Sequence, residues 1–266
     1  MVIIQDVKPR ITESAYVEKP FDEAKAELEA KRYEVISLEE FARLRTELGK
    51  EHHISKWGSY TREGFLYVPQ KGVFLVRNSP ILANAKKATD CHRNGSEFYL
   101  TDEQVEQSLA SSVQFKDANS IPTNRFAEDE RTVFAFGESA GKYGEFLKEA
   151  KIAEMPVYLA NVEKKSFARQ AWLHRLDEGY GSELDGGNWG LHFNDAVRGV
   201  RHASADEGSA SHPTFANLSN LQQQKADEEK SAPRNLYAPE KFFQACAKEG
   251  ITIQGELESK IRANLK

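Results

Sequence analysis

Gly64-Phe65-Leu66-Tyr67-Val68-Pro69-Gln70-Lys71-Gly72-Val73-Phe74-Leu75-Val76 decides the fold. Two runs of aromatic and branched apolar residues, which pack well on a pleated surface, flank a four-residue polar turn, so the stretch predicts a β-hairpin. A hairpin needs cover on its apolar face, and helices are signalled on both sides of it. Upstream, Ser37-Leu38-Glu39-Glu40 forms a capping box: Ser37 takes an orphan amide and Glu40 reaches back. The spacing of Leu38, Phe41, Leu44 and Leu48 then predicts a helix over 38–48 that stops at Gly49. A more charged helix is expected near 21–31. Downstream, Ser79-Pro80 marks a helix entry and Gly95 its end, before Phe98-Tyr99-Leu100 and a second capping box at Thr101 and Gln104.

Further along, Ser111 to Arg131 shows no sustained period and contains Pro122, so it reads as a connection or seam. The expected organisation is therefore an amino-terminal mixed α/β lobe over 1–120 and an α/β lobe over 121–266. In the second lobe, Thr132–Phe136 reads as a strand, Tyr143–Ala150 as a helix and Val157–Ala160 as a strand, a parallel crossover. Ser166 is expected to cap a helix carrying Phe167, Ala171, Trp172 and Leu176. The polar stretch 203–240 reads as an excursion. Pro239 then opens a helix, Ile251-Thr252-Ile253 a short strand, and Leu257, Ile261 and Leu265 mark a last amphipathic helix. Together these elements predict an α/β fold: a mixed sheet with flanking helices in two or three layers.

Composition narrows the function classes. Thirty-six basic against forty-one acidic residues, a formal charge of −5 with both signs mixed along the chain, disfavour nucleic acid as a partner. No run of eighteen apolar residues predicts a membrane span, no export signal is recognised, and the reading is a cytoplasmic protein. Cys91 and Cys246 have no paired spacing, which argues against a disulfide framework or a cysteine-rich zinc site.

The densest chemical signal is the segment 179–190, with five glycines in twelve residues, flanked by His174-x-x-Asp177 and His192-x-x-Asp195. On a helix His174 and Asp177 would share a side, and the second pair would repeat the relation after the loop. Two imidazoles and two carboxylates suit general base catalysis with an orienting acid, and they also suit a divalent metal that activates water. Glu183 and Asp185 form a second carboxylate pair, weighed against a solvated acidic loop. Tyr180 and Trp189 offer a platform for a ligand. No G-x-S-x-G elbow accompanies them, so serine hydrolysis is disfavoured.

Two further segments fit an anion. Gly137, Ser139, Gly141 and Lys142 stand where a strand is expected to turn into a helix, and free amides there cradle phosphate, although the spacing is neither Walker A nor G-x-G-x-x-G. Arg198 and Arg201 could clamp a phosphate or carboxylate. Three functions follow: a hydrolase-like enzyme acting on a small anionic or phosphorylated substrate, a metal-dependent hydrolase, or a noncatalytic protein-interaction module that uses the Tyr180 and Trp189 loop. The enzyme readings require the Gly137 turn, the glycine-rich loop and the 192–202 segment to line one pocket.

Overall fold

The computed structural model describes residues 4–7, 12–115, 120–177, 181–187 and 190–202. The chain divides between residues 204 and 205, and everything described lies in the first part.

In chain order, β1 (Ile4–Val7) and β2 (Thr12–Glu18) pair antiparallel and lead into α1 (Phe21–Ala30), β3 (Glu34–Val35), α2 (Leu38–Leu48) and the short α3 (His53–Lys56). β4 (Ser59–Val68) and β5 (Gly72–Val76) are the expected hairpin, with Phe65 opposite Leu75. Next come α4 (Ala85–Arg93), β6 (Phe98–Tyr99), α5 (Asp102–Leu109), β7 (Ser112–Phe115) and β8 (Ser120–Pro122). α6 (Glu130–Phe136), α7 (Ala140–Glu149), β9 (Glu154–Tyr158), β10 (Phe167–Leu173), β11 (Leu184–Asp185) and β12 (Ala196–His202) complete the described chain.

The main path of the sheet runs β1-β2-β12-β4-β10-β11-β9-β8, with β3, β5, β6 and β7 pairing beside it. It is mixed: β4 with β12 and β9 with β11 are parallel, and the other ladders are antiparallel. Strand alternation explains the layers. On β4 and β10, Phe65, Tyr67, Phe167, Ala171 and Leu173 point to one core with Leu38, Phe41 and Leu44 of α2, Phe136 of α6 and Tyr143 and Leu147 of α7. The residues between them, Leu66, Val68, Ala168 and Trp172, join Phe21, Ala24 and Leu28 of α1, Ala88 of α4 and Val105 of α5. A sheet buried on both faces by helices is the expected α/β architecture, in three layers.

Both capping boxes form as expected, at Ser37 with Glu40 and at Thr101 with Gln104. Three expectations are corrected. Thr132–Phe136 lies in helix α6, because Asp129 caps the amide of Arg131, the Thr132 hydroxyl donates back to Phe126 and Asp129, and Phe136 stacks on Phe126. No strand-helix-strand crossover is formed there. The 111–131 connection contains β7 and β8, which pair with β5 and β9. The helix expected after Ser166 is strand β10, held by β4, β6 and β11. A central strand apolar on both faces carries the same composition as a buried helix, and here the sheet decides. The readings at 203–240, 251–253 and 257–265 lie outside the described residues.

No helix among the described residues is long and apolar enough to cross a membrane.

Candidate functional site

β10 and β11 are antiparallel, with Trp172 opposite Asp185 and Leu173 opposite Leu184. One step on, the His174 amide donates to the Glu183 carbonyl at 2.8 Å, so the register sets His174 directly across from Glu183. Glu183 and Asp185 are two residues apart in extended chain and share a face, which makes Asp185 the diagonal neighbour of His174. His174 Nε2 consequently lies 3.4 Å from Glu183 Oε1 and 3.5 Å from Asp185 Oδ2. The other carboxylate oxygen of Asp185 accepts from the Gly187 amide at 2.5 Å, which fixes the acid's orientation.

These three side chains could hold a metal: one ligand atom from each lies within 4.8 Å of the others. Four donors around an ion at zinc-like distances stand roughly 3.4 Å apart, close to the two separations that involve the imidazole. A nitrogen and two carboxylates suit a divalent first-row ion better than the all-oxygen shell of calcium. The electrostatics agree with the donor chemistry. Burial and then the charge of Asp185 push the Glu183 carboxyl up, against the opposing pull of His174. Tyr60, 1% exposed, holds a hydroxyl without a hydrogen-bond partner, and burial first, then the charges of Asp195 and Asp185, raise its pKa well above 10.0.

A pocket of about 180 Å3 opens beside His174, lined among others by Glu18, Trp57, Gly58, Trp172 and Asp195. Asp195 sits just before β12. Burial raises its pKa while the nearby charges of His174 and His192 lower it.

Behind the site, Arg45 of α2 is fully buried and spends all five of its N–H donors. They go to the carbonyls of Ile54, Trp57 and His174 and to the hydroxyls of Tyr143 and Ser182. The guanidinium thereby fixes the end of β10 and the residue before Glu183. Ser182 is engaged by Arg45 and by the Tyr143 hydroxyl at 2.6 Å.

The residues expected from the sequence distribute as follows. His174 and Asp195 meet at the pocket. Asp177 does not share a helix face with His174, because the expected helix is strand β10, which ends at Leu173, and the chain leaves it without helical structure; Asp177 pairs with Arg175. His192 packs on Phe193 at 4.1 Å, and no hydrogen bond joins it to Asp195: His192 Nδ1 and Asp195 Oδ2 are both buried and unbonded. Gly137 follows helix α6, with φ 53°, and not a strand. Beside it the Glu138 amide donates to Glu39 Oε1 at 3.1 Å, so the chain's own carboxylate approaches this turn. Ser139 precedes α7, and Gly141 and Lys142 lie in its first turn. None of these four lines the pocket.

Arg198 and Arg201, three apart on β12, face opposite sides. Arg198 is 1% exposed, donates to Ser14 Oγ at 2.8 Å and lies over Tyr16; Arg201 pairs with Glu13 and lies over Tyr33. Tyr180 and Trp189 lie outside the described residues. Sequence reading missed the joint role of His174, Glu183 and Asp185. The alternate spacing of the two acids was the available signal, once a strand was recognised there. Tyr60 and Arg45 carried no signal of their own.

No family model matches the chain, and no curated protein matches it in sequence. In structure it is similar to a solved chain described as accommodating massive sequence variation in Nanoarchaeota by the C-type lectin fold. The TM-score is 0.54 at 13% identity, over 72% of this chain and 97% of the other. That likeness shows the fold: the described part resembles the C-type lectin fold.

Proposed function

We propose that the protein is a noncatalytic binding module of C-type-lectin-like fold, with a divalent cation held by His174, Glu183 and Asp185 organising its ligand surface. The observation that carries the reading is the convergence of those donors, with His174 Nε2 3.4 and 3.5 Å from the two carboxylates. The likeness to a fold that tolerates wide sequence variation in the solved relative supports a scaffold with an adaptable surface more than a fixed reaction. A bound ion would neutralise the crowded acids and offer an open position to an oxygen or nitrogen of the ligand. By sequence Tyr180 precedes the acids, between β10 and β11, and Trp189 follows them, before β12; both are proposed as part of the contact surface.

A second reading, a metal-dependent hydrolase, is favoured by one feature: three protein donors leave a coordination position for water, and the pocket borders His174. One experiment separates the two. Metal-stripped protein is titrated with Zn2+ and Mn2+ by calorimetry, and the loaded protein is assayed with p-nitrophenyl acetate and p-nitrophenyl phosphate. The binding reading expects one equivalent of ion, loss of that binding in His174→Ala and Glu183→Gln, and no turnover. Metal-dependent turnover would favour the hydrolase, and failure of either ion to bind would remove the cation centre from both.

A further inference from the structure

The pocket beside the cation centre has a chemistry of its own. Its aromatic walls are Trp57 and Trp172. Trp172 is nearly buried, and its indole lies flat against Gly58, where a Cβ would come within 2.7 Å of the ring. Trp57 is 51% exposed, with His53 stacked on it at 5.9 Å. Glu18 and Asp195 supply two carboxylates. Among the described residues no lysine or arginine is paired with either acid, and the nearest guanidinium in the lining, Arg175, is already tied to Asp177. Asp195 also holds an oxygen that is buried without a hydrogen-bond donor.

Indole faces attract cations through the ring quadrupole, and a carboxylate beside them adds charge-assisted hydrogen bonds. Beyond the imidazoles of His174 and His192 near Asp195, no cation among the described residues is paired with either acid, so a cationic ligand would find both carboxylates available. We propose that this pocket binds an alkylguanidinium or alkylammonium group, which lies against Trp57 and Trp172 and donates to Asp195, with Glu18 at the rim. The volume, about 180 Å3, accommodates one such head group with its adjoining methylenes. The pocket shares His174 with the His174, Glu183 and Asp185 centre, but the groups proposed to hold the ligand are Trp57, Trp172, Asp195 and Glu18, and the proposal does not require an ion to be bound at that centre.

The test is a titration of the full chain, in chelator, with N-acetylarginine amide, followed by tryptophan fluorescence. N-acetylcitrulline amide, of the same shape without the charge, is the control. Saturable quenching by the arginine derivative and none by citrulline is expected. Asp195→Asn should weaken binding at least about tenfold, the scale of a charge-assisted hydrogen bond. Trp57→Ala should weaken it by about threefold, in keeping with an exposed cation–π contact, and half-exposed Trp57 can be removed without opening the core. An Arg-Gly repeat peptide forms a further arm: tighter binding than the amide names a peptide side chain as the source of the group, and equal binding names a free small cation. An equal response to citrulline, or unchanged titrations in both variants, would overturn the proposal. Because chelator is present throughout, either result is independent of whether the cation reading survives.

Discussion

Arg45 Nη2 donates to the carbonyl oxygen of His174 at 2.8 Å, tying helix α2 to the chain just beyond β10 that sets His174 against Glu183 and Asp185. All five bonds from this guanidinium end on neutral oxygens, and the ring of Phe41 lies 4.3 Å from its centre. The charge is thus dispersed over carbonyls and hydroxyls; without it the carbonyls of Ile54, Trp57 and His174 would lose this donor, and the Tyr143 and Ser182 hydroxyls would keep only each other. Arg45→Met should lower unfolding free energy by about 3–5 kcal/mol, the scale of disrupting a buried ionic network. Arg45→Lys should recover little, because three donors on a flexible stem cannot span the same acceptors. Urea denaturation measures both, and a loss below about 1 kcal/mol for Met would contradict the hub role.

Glu63 is buried on β4 and accepts from the Leu38 amide at 2.9 Å. Burial pushes its carboxyl up from 4.5 to about 7. In the unfolded chain the group ionises near 4.5, whereas in the folded chain it keeps its proton until about 7. Stability from this group is therefore full below the lower value, falls as pH rises between the two, and is constant above, a change of up to about 3 kcal/mol. Glu63→Gln retains an acceptor for Leu38 and removes the titration. The variant should gain on the parent between pH 5 and 8, and parallel stability curves for the two proteins would refute the assignment.

Elements whose instructions are local were legible in the sequence. The capping boxes at Ser37 and Thr101, the 64–76 hairpin and the helix of Tyr143 each depend on neighbours in the chain. Elements decided by the sheet were not. Phe167–Leu173 is apolar on both faces because it lies in the middle of the sheet, and Val133, Phe134 and Phe136 look β-like until Asp129 and Thr132 cap them as a helix. The pairing of His174 was not legible for the same reason. The sequence spacing matches His174 with Asp177, three along an expected helix, whereas the ladder sets it opposite Glu183 and diagonal to Asp185. Tyr60 and Arg45 arrive from elements far away in sequence, and no local pattern announces them.

Gly137 has φ 53° and ψ −135°, a region that side chains other than hydrogen rarely enter. A Cβ there would also lie 2.2 Å from Glu39 Oε1. The carboxylate can swing away, but the backbone cannot relax as easily, so strain should dominate. Gly137→Ala is expected to cost about 1–3 kcal/mol, and Glu39→Ala, which removes only an exposed acceptor from the Glu138 amide, less than about 1 kcal/mol. Adding Glu39→Ala to Gly137→Ala should restore little of the loss. Full recovery in the double variant would show that the clash, and not the backbone, sets the penalty.

The Leu191 amide donates to His92 Nδ1 at 3.2 Å, and the Leu191 carbonyl accepts from the Phe21 amide at 2.8 Å. Leu191 is thereby clamped between α4 and the start of α1, immediately before His192 and Asp195. The acceptor role requires a neutral imidazole, whose proton is on Nε2. Burial holds the His92 pKa down at about 4 from 6.5; Glu97 opposes this, and Arg169 and His192 reinforce it. As pH falls from about 6.5 toward 4, the unfolded chain takes up a proton that the folded chain refuses, so stability drops by up to about 3 kcal/mol across that window and is unaffected above it. Once protonated, Nδ1 can no longer accept from Leu191, and the segment carrying Asp195 is released from α4. His92→Asn keeps an acceptor near the Nδ1 position and cannot be charged. Relative to the parent it should lose less stability between pH 6.5 and about 4 in urea titrations, and below about pH 4, where His92 of the folded parent is protonated, the Leu191 amide should exchange hydrogen more slowly than in the parent. Identical pH dependence in the two proteins would mean that His92 does not govern this clamp.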